Sequence, residues 1–393
     1  MFCKLLKYFL HKNLLILLRL KKLKTFIVYP LEALQKNKFD ALTGMRAIAA
    51  IMVFVYHNRK YWRYDLPFEI MRFISEWHIG VTVFFVLSGF LLAYRYEEKP
   101  LESKKSYLKY ILLRIARIFP LYWILLSCYF IDTSYSKGVD TYFLQYSLFY
   151  SLFERYSVSG IVQAWSLTVE FFFYILAPFL FLLLKKSWKY CILFLIGFFL
   201  LGWGIGFGLK EFNGNPKGFL YPLQFMIGST FFGRSLEFFF GMLLAYLMKK
   251  EKGIQFLNKI KKPTLWGGIS ILIFTISIAF FARNNFVHGV ERWEGRLIHE
   301  LFLPVAIAVF FWGLMTERTF VSRILSTKFF ILLGNASFVF YLIHLSYFNM
   351  KLKSYFYLPD RNFVALWICS IIIYLLIEKP LYEACRKLIA KIK

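Results

Sequence analysis

Long apolar segments recur along the chain and restrict its fold more than any other feature. The stretches 266–282, 297–315 and 363–377 carry almost no charge, and each approaches the roughly 20 residues that a helix needs to cross about 30 Å of hydrocarbon. In lipid, backbone N–H and C=O groups must be satisfied within the chain, so these segments form helices. The sequence therefore predicts an all-α fold, a polytopic transmembrane helix bundle of about ten helices.

The predicted spans alternate with short polar patches, and three regions follow from them. We expect a basic amphipathic segment on the inner leaflet at 1–40, a transmembrane domain at 41–380 and a basic cytoplasmic tail at 381–393. The ten spans are 41–57, 78–95, 112–131, 163–184, 189–209, 234–249, 264–282, 297–315, 329–348 and 362–378.

The formal charge of +27 first suggests a nucleic-acid partner. However, 34 of the 49 Lys and Arg residues fall on one side of the predicted membrane when ten helices alternate. This distribution is the positive-inside bias, and it places both termini in the cytoplasm. We therefore expect an integral protein of the cytoplasmic membrane, in contact with lipid and not with nucleic acid.

The five cysteines give no sign of a disulfide framework or a metal centre. They lie at positions 3, 128, 191, 369 and 385, mostly in apolar runs, and none forms a CxxC pair. On this ground the sequence predicts no metal site and no metal cofactor.

Three ionisable residues inside predicted spans are candidates for function, because a charge at mid-membrane costs roughly 2.5 to 3.5 kcal/mol. Counting along the helices brings His57, Glu170 and His344 to a similar depth near the outer end, where His57 and Glu170 could pair. Structural roles remain open for each: helix capping for His57, neutralisation by an Arg for Glu170, and helix-to-helix hydrogen bonding for His344.

Arg114 and Arg117 are three residues apart at the predicted cytoplasmic start of the third span, so their guanidinium groups share one side of the helix. Arginine binds phosphate through two parallel hydrogen bonds. Positive-inside anchoring would explain either residue alone, whereas the pair indicates an anionic nucleotide ligand.

Motifs spread over residues 42–380 resemble the acyltransferase family 3 membrane proteins, many of which O-acetylate bacterial surface polysaccharides. Arg46 and His57 are separated by ten residues, as in the opening of that family. The other matching segments are Phe84–Phe90, Arg114–Trp123, Trp165–Glu170 with Phe173 and Tyr174, Gly241–Met242, Ser337–His344 and Glu378–Pro380.

The resemblance implies an O-acyltransferase that moves an acyl group, which we expect to be acetyl, from acyl-CoA to a carbohydrate hydroxyl. Acetyl-CoA would then be the donor and a cell-surface or lipid-linked carbohydrate the acceptor. The resemblance assigns catalysis to His57 and Glu170, donor binding to three arginines, and substrate binding to three residues near the outer end. The donor-binding residues are Arg46, Arg114 and Arg117, and the substrate-binding residues are Trp165, Ser166 and His344.

The sequence departs from the family at one position and leaves two alternatives open. Phe171 follows Glu170 where the family often has a second acidic residue, so a role that needs two carboxylates is not supported. Direct transfer to the acceptor and an acyl-histidine intermediate are both compatible with the residues. A transporter that exports or flips a glycan is the alternative function, although no internal repeat of the kind common in transporters is visible.

The predicted topology can be tested by labelling single cysteines in a cysteine-free background with a membrane-impermeant thiol reagent. We expect labelling from outside intact cells at Lys137, and none at Lys105 or Glu251 until the cells are permeabilised. External labelling at either of the last two positions would contradict the cytoplasmic placement of those loops.

Overall fold

The computed structural model describes residues 39–62, 64–96, 103–133, 138–157, 159–214, 217–282 and 288–392. The predicted amphipathic segment at 1–40 lies almost wholly outside the described residues. Within them the structure consists of helices and connecting turns, and its only β pairing is an isolated bridge between Phe153 and Phe219.

Eighteen α-helices make up this part of the chain, joined by turns and short 3-10 segments. In chain order they are α1 Asp40–Asn58, α2 Phe68–Ser75, α3 Gly80–Tyr96, α4 Lys104–Thr133, α5 Val139–Tyr146, α6 Trp165–Lys186, α7 Trp188–Asn213, α8 Leu223–Ser229, α9 Phe231–Lys249, α10 Glu251–Asn258, α11 Pro263–Phe281, α12 Trp293–Leu297, α13 Leu303–Thr316, α14 Phe320–Leu325, α15 Lys328–Ile343, α16 Tyr347–Lys353, α17 Pro359–Ile373 and α18 Lys379–Ala390. Two π-helical segments, Ile298–Phe302 and Tyr374–Glu378, join α12 to α13 and α17 to α18.

The protein is a polytopic helical membrane protein, as the sequence predicted. Within the described residues eight helices are long and apolar enough to cross a membrane, or nine if the bent pair α15 and α16 is one span. Helix α1 is not among them, but its 19 residues would span nearly 30 Å. Its apolar face is buried against α3 and α15.

Two predicted spans differ from the structure in ways that affect the site. Helix α4 begins at Lys104, well before the predicted residue 112, because polar residues extend the helix beyond its apolar centre. The predicted span 329–348 ends at Ile343, where the chain bends by 92° into α16. The bend begins at His344, so this histidine lies at a helix end and not within a continuous helix.

Glycines allow the central helices to approach each other closely. A Cβ atom added to Gly241 in α9 would lie 2.0 Å from the carbonyl oxygen of Val86 in α3, and one added to Gly89 would lie 2.2 Å from that of Phe238. Association of helices in lipid depends on close packing of this kind, because lipid chains are as apolar as the side chains. The contact between α3 and α9 therefore forms the centre of the bundle.

We expect Gly241→Ala to destabilise the protein and the matched change Gly204→Ala to leave it unchanged or slightly stabilised. The added methyl group of the first variant forces two helices apart, which costs about 1–3 kcal/mol. Gly204 has no atom within 4 Å of its added Cβ, so alanine there gains roughly 0.5–1 kcal/mol of helix propensity. Thermal unfolding in detergent measures both. Equal melting temperatures for the two variants would contradict the close contact.

Candidate active site

An internal cavity of about 680 Å³ lies between helices α1, α3, α4, α6 and α15. Residues from Val81 to Arg95 of α3 line it, a distance of about 21 Å at 1.5 Å per residue. The cavity therefore extends over most of the thickness of the hydrocarbon layer. We call it the arginine cavity, because its lining includes Arg46, Arg95, Arg114 and Arg117.

Arg117 forms a salt bridge with Glu378, a buried residue at the end of the second π segment. Arg46 lies within electrostatic range of Glu378 and of Glu170. The sequence predicted Arg114 and Arg117 at the cytoplasmic edge of their helix, and this placement was wrong. Because α4 begins at Lys104, they lie roughly 15 and 20 Å along it, inside the bundle.

Arg114 is held by aromatic rings. Its guanidinium carbon lies 5.9 Å from the ring centre of Tyr96 and 5.6 Å from that of Tyr174, a cation–π arrangement. Among the described residues it has no carboxylate within salt-bridge distance, and its Nε atom is buried without a hydrogen-bond partner. A positive charge thus faces the cavity in a fixed orientation and is not neutralised by an acidic side chain of the described part.

Glu170 lies in the arginine cavity and not beside His57. Its Oε1 atom accepts hydrogen bonds from Ser88 Oγ at 2.7 Å and Tyr174 Oη at 2.5 Å. The expected pair of Glu170 and His57 does not form. Counting along the helices placed Glu170 at the level of His57, but its hydrogen bond with Ser88 and its electrostatic proximity to Arg46 place it nearer the Arg46 level of α1.

The charge of the cavity lining is strongly positive. Within the described residues four arginines line it, and Glu170 is the only lining carboxylate. Glu378, which does not line the cavity, neutralises the charge of Arg117. Because a buried charge is stable only when it is paired, this excess of guanidinium groups indicates an anionic ligand with several negative charges.

His57 belongs to a second group of residues at the far end of α1, about 16 Å from the level of Arg46. Its ring centre lies 5.3 Å from that of His344 and 4.6 Å from that of Tyr56. Tyr56 in turn contacts two further histidine rings. We call this group the histidine cluster, which comprises His57, His78, His288, His299 and His344.

His344 is fixed by backbone contacts. Its Nδ1 donates a hydrogen bond to the carbonyl of Tyr341 at 2.7 Å, so Nε2 is the acceptor nitrogen. Nε2 is buried and has no partner among the described residues. Asn349 holds the carbonyl of His344 with a further hydrogen bond. The imidazole therefore presents a lone pair in the immediate surroundings of His57.

Tyr341 connects the two groups. It lines the arginine cavity, and its ring centre lies 5.5 Å from that of His344. Ser166, which also lines the cavity, donates a hydrogen bond of 2.8 Å to the Tyr341 hydroxyl. A ligand that fills the cavity would thus meet Ser166 and Tyr341 at the end nearest His344 and His57.

Trp165 does not belong to the cavity lining. It is half-buried beside Phe85, with a ring-centre distance of 6.3 Å, and the guanidinium of Arg234 lies 5.8 Å from its ring centre. The structure therefore brings Ser166 to the cavity and His344 to His57, and leaves Trp165 between the cavity and a buried group around Arg234.

Several charged or ionisable residues within apolar segments were not selected from the sequence. Arg234 binds both carboxylate oxygens of Glu237, at 2.8 and 2.7 Å, and also Thr82, which in turn contacts His299. A search of the predicted spans for every ionisable residue would have found most of them. The full set is Glu76, His78, Arg234, Glu237, His299, Glu300 and Glu378.

His288 lies in the connection between α11 and α12, outside the spans. Burial, assisted by the nearby His78, lowers the pKa of its imidazole to about 4. His288 is therefore neutral at physiological pH and retains one nitrogen lone pair.

The structure thus combines a helical membrane bundle, a cavity lined by arginines and a group of histidines at the far end of that cavity. The chain belongs to acyltransferase family 3: residues 39–378 match that family, whose description is "Acyltransferase domain".

Similar proteins carry related names. A Staphylococcus aureus (strain COL) protein named "Putative O-acetyltransferase" is 25% identical over 332 residues, which cover 77% of this chain and 49% of that protein. An Acidianus two-tailed virus protein named "Putative acetyltransferase" is 31% identical over 154 residues, or 37% of this chain and 42% of that protein. The chain thus spans about half the length of the staphylococcal relatives it matches. No solved structure matches it.

Proposed function

We propose that the protein transfers an acyl group, in its simplest form acetyl, from acyl-CoA to a hydroxyl of a cell-surface or lipid-linked carbohydrate. Membership of acyltransferase family 3 supports acyl transfer, and the names of the staphylococcal relatives support an oxygen acceptor. The enzyme would lie in the cytoplasmic membrane, with the Arg95 end of the cavity open to the cytoplasm where acyl-CoA is found. The basic segments at that end agree with this orientation.

The positive charge of the arginine cavity is the observation that carries the proposal. Coenzyme A combines phosphate groups with a long, flexible pantetheine arm that ends in the thioester. Arg114 is the most suitable phosphate ligand, because it has no acidic partner in the described part of the chain. Arg46 and Arg95 add positive charge along the same wall. The cavity would therefore hold the phosphates at one end and direct the arm toward Tyr341.

The distance between the two groups fits this donor. The level of His57 lies about 16 Å beyond that of Arg46, which is comparable to the reach of a pantetheine arm. A donor anchored by the arginines would bring its thioester to Ser166 and Tyr341, next to His344. The acceptor would approach from the opposite side, at the His57 end of α1.

His57 would act as the general base. Its imidazole takes the proton from the acceptor hydroxyl as the oxygen attacks the thioester carbonyl carbon, and the tetrahedral intermediate then expels the thiolate. The proton held by His57 returns to the thiolate to give free CoA. Catalysis of this kind contributes about 100-fold to 10,000-fold. In an acyl-histidine variant, a nitrogen of His57 attacks the thioester carbonyl carbon, the C–S bond breaks, and the CoA thiolate leaves with the imidazole proton. The acceptor hydroxyl then attacks the acyl-imidazole carbon, and its proton returns to His57 as the acyl–nitrogen bond breaks.

His344, and not Glu170, would orient the imidazole of His57. Its unpartnered Nε2 can accept a hydrogen bond from an N–H of the adjacent His57, which fixes the tautomer of the base. Glu170 would instead organise the donor side of the site. It positions the Tyr174 ring, on which Arg114 rests.

The overall activity is tested by mass analysis of surface and lipid-linked glycans from cells with the gene, without it, and complemented with His57→Ala. We expect one glycan to lose the mass of one acyl group per modified site when the gene is absent, and His57→Ala to give the same result. Identical glycans in all three strains would contradict a carbohydrate acceptor.

We expect Arg114→Gln to weaken acyl-CoA binding by about 10-fold to 150-fold, because one charge-assisted contact is worth roughly 1.5–3 kcal/mol. Calorimetry on the purified protein measures the affinity. Arg114 is preferable to Arg117 for this test, since removal of Arg117 would leave Glu378 buried without its partner.

The matched control is Arg323→Gln, which removes an exposed arginine outside the cavity lining. Its affinity for acyl-CoA should equal that of the wild type. Unchanged affinity in a folded Arg114→Gln variant would exclude the phosphate site at this position.

We expect His57→Ala to lower turnover at least about 100-fold while acyl-CoA affinity is retained, because the base lies far from the phosphate contacts. Glu170→Gln should leave the midpoint of the pH–rate profile in place, since Glu170 contacts Ser88 and Tyr174 and not His57. Steady-state kinetics across pH measure both. A shifted midpoint in Glu170→Gln would instead support a direct pairing of Glu170 with His57.

A further inference from the structure

Three side chains of the molecule converge close to His57 without a role in the proposed acyl transfer. Glu76 and His78 flank the turn between α2 and α3, and His288 comes from the connection between α11 and α12. One potential ligand atom from each lies within 4.8 Å of the other two. Ligand atoms bound to one ion at about 2.0–2.2 Å are necessarily close neighbours of this kind.

Surrounding hydrogen bonds orient these side chains. The backbone N–H of Gly289 donates to Glu76 Oε1 at 2.8 Å, while Oε2 faces His78 Nε2 at 3.0 Å. The hydroxyl of Tyr56 lies 3.1 Å from His288 Nε2. His288 Nδ1 is buried and has no hydrogen-bond partner among the described residues. A ligand histidine held through its other ring nitrogen is the usual arrangement around protein-bound metals.

The charge of Glu76 also requires a partner. Its side chain is fully buried, and within the described part of the chain its only salt-bridge partner is His78. A neutral imidazole donates one hydrogen bond but does not neutralise a carboxylate. Burial of an uncompensated carboxylate is costly, and coordination to a metal ion is one of the few ways to offset that cost.

We infer that Glu76, His78 and His288 form a binding site for a divalent first-row transition metal ion, with Zn²⁺ as the best fit. Two imidazoles and one carboxylate are typical ligands of zinc and of its neighbours in the series, whereas Mg²⁺ and Ca²⁺ prefer oxygen alone. On binding, the cation would replace the proton in the hydrogen bond between His78 and Glu76. Three protein ligands leave a fourth position open.

A second group of possible ligands, Glu237, His299 and Glu300, lies nearby but is less suitable. The guanidinium of Arg234 already occupies both oxygens of Glu237, so a cation there would meet a fixed positive charge. Glu76 and His288 have no such competitor within the described residues. The ion is therefore assigned to the group of Glu76, His78 and His288. The group of Glu237, His299 and Glu300 serves as a matched control.

The metal site would exist whether or not the chain transfers an acyl group. It would fix the Gly289 turn to the start of α3, and through the contact of His288 with Tyr56 it would hold the residue next to His57. The sequence predicted no metal site because only cysteine spacing was considered. Glu76 and His288 are separated by more than 200 residues, a distance at which no spacing motif exists.

The first experiment uses the full chain, purified in detergent, stripped with a chelator and titrated separately with Zn²⁺ and Co²⁺. We expect about one equivalent of bound metal by mass spectrometry, visible absorption of Co²⁺ in a low-symmetry site, and a higher melting temperature with Zn²⁺. Absence of stoichiometric binding to the folded wild-type protein would overturn the inference without any variant.

Variants then assign the ligands. Glu76→Gln and His288→Gln should each weaken Co²⁺ binding more than about 100-fold, and Tyr56→Phe about 10-fold to 100-fold, as is typical for loss of a hydrogen bond to a ligand histidine. His299→Gln should bind as the wild type does. Because Tyr56→Phe removes a single oxygen atom, it is informative even if a ligand variant fails to fold. Retained affinity in folded Glu76→Gln, or loss confined to His299→Gln, would place the ion elsewhere and refute the site.

Discussion

The need to compensate buried charge governs the arrangement of this bundle. The salt bridge between Arg117 and Glu378 joins α4 to the π segment that follows α17, and Arg46 of α1 lies within range of the same carboxylate. An unpaired charge at mid-membrane costs several kcal/mol, so these helices hold one relative position. The π-helical segment contributes to this pairing of charges. Its additional residue per turn changes the direction in which a side chain leaves the helix. The cavity is cationic because, within the described residues, four arginines and a single carboxylate line it.

The fold could be predicted from the sequence to the extent that lipid imposes it. Apolar runs gave the spans that the structure confirms as a polytopic helical bundle, because hydrocarbon leaves the backbone no alternative to the helix. The boundaries were less predictable. The polar turns of α4 before residue 112 have no apolar signal, and the bend after Ile343, where Asn349 donates a local hydrogen bond to the carbonyl of His344, interrupts an apolar run that reads as one span.

The site could be predicted only in part along the helix axes. Counting residues correctly brought His57 and His344 to one level, and the structure places their rings in contact. The same counting failed for Glu170, which lies beside Ser88 and nearer the level of Arg46, because apolar runs do not fix how far one helix is offset along its axis against another. The connection between Tyr56 and His288 spans 232 residues, so neither composition nor spacing could have shown it.

Tyr341 makes the proposed reaction and the proposed metal site parts of one arrangement. Its hydroxyl is held by Ser166 at the end of the cavity, and its carbonyl fixes His344, which contacts His57. From His57 the contacts continue through Tyr56 to His288 and Glu76. A donor that fills the cavity would contact Tyr341, whose carbonyl is hydrogen-bonded to His344 just after the end of α15. Tyr56, held by His288, would restrict the movement of His57 from the other side. His57 would therefore be held between His344, on the side of the cavity, and Tyr56, on the side of the metal site. A proton acceptor held in this way would remain aligned while the thioester arrives.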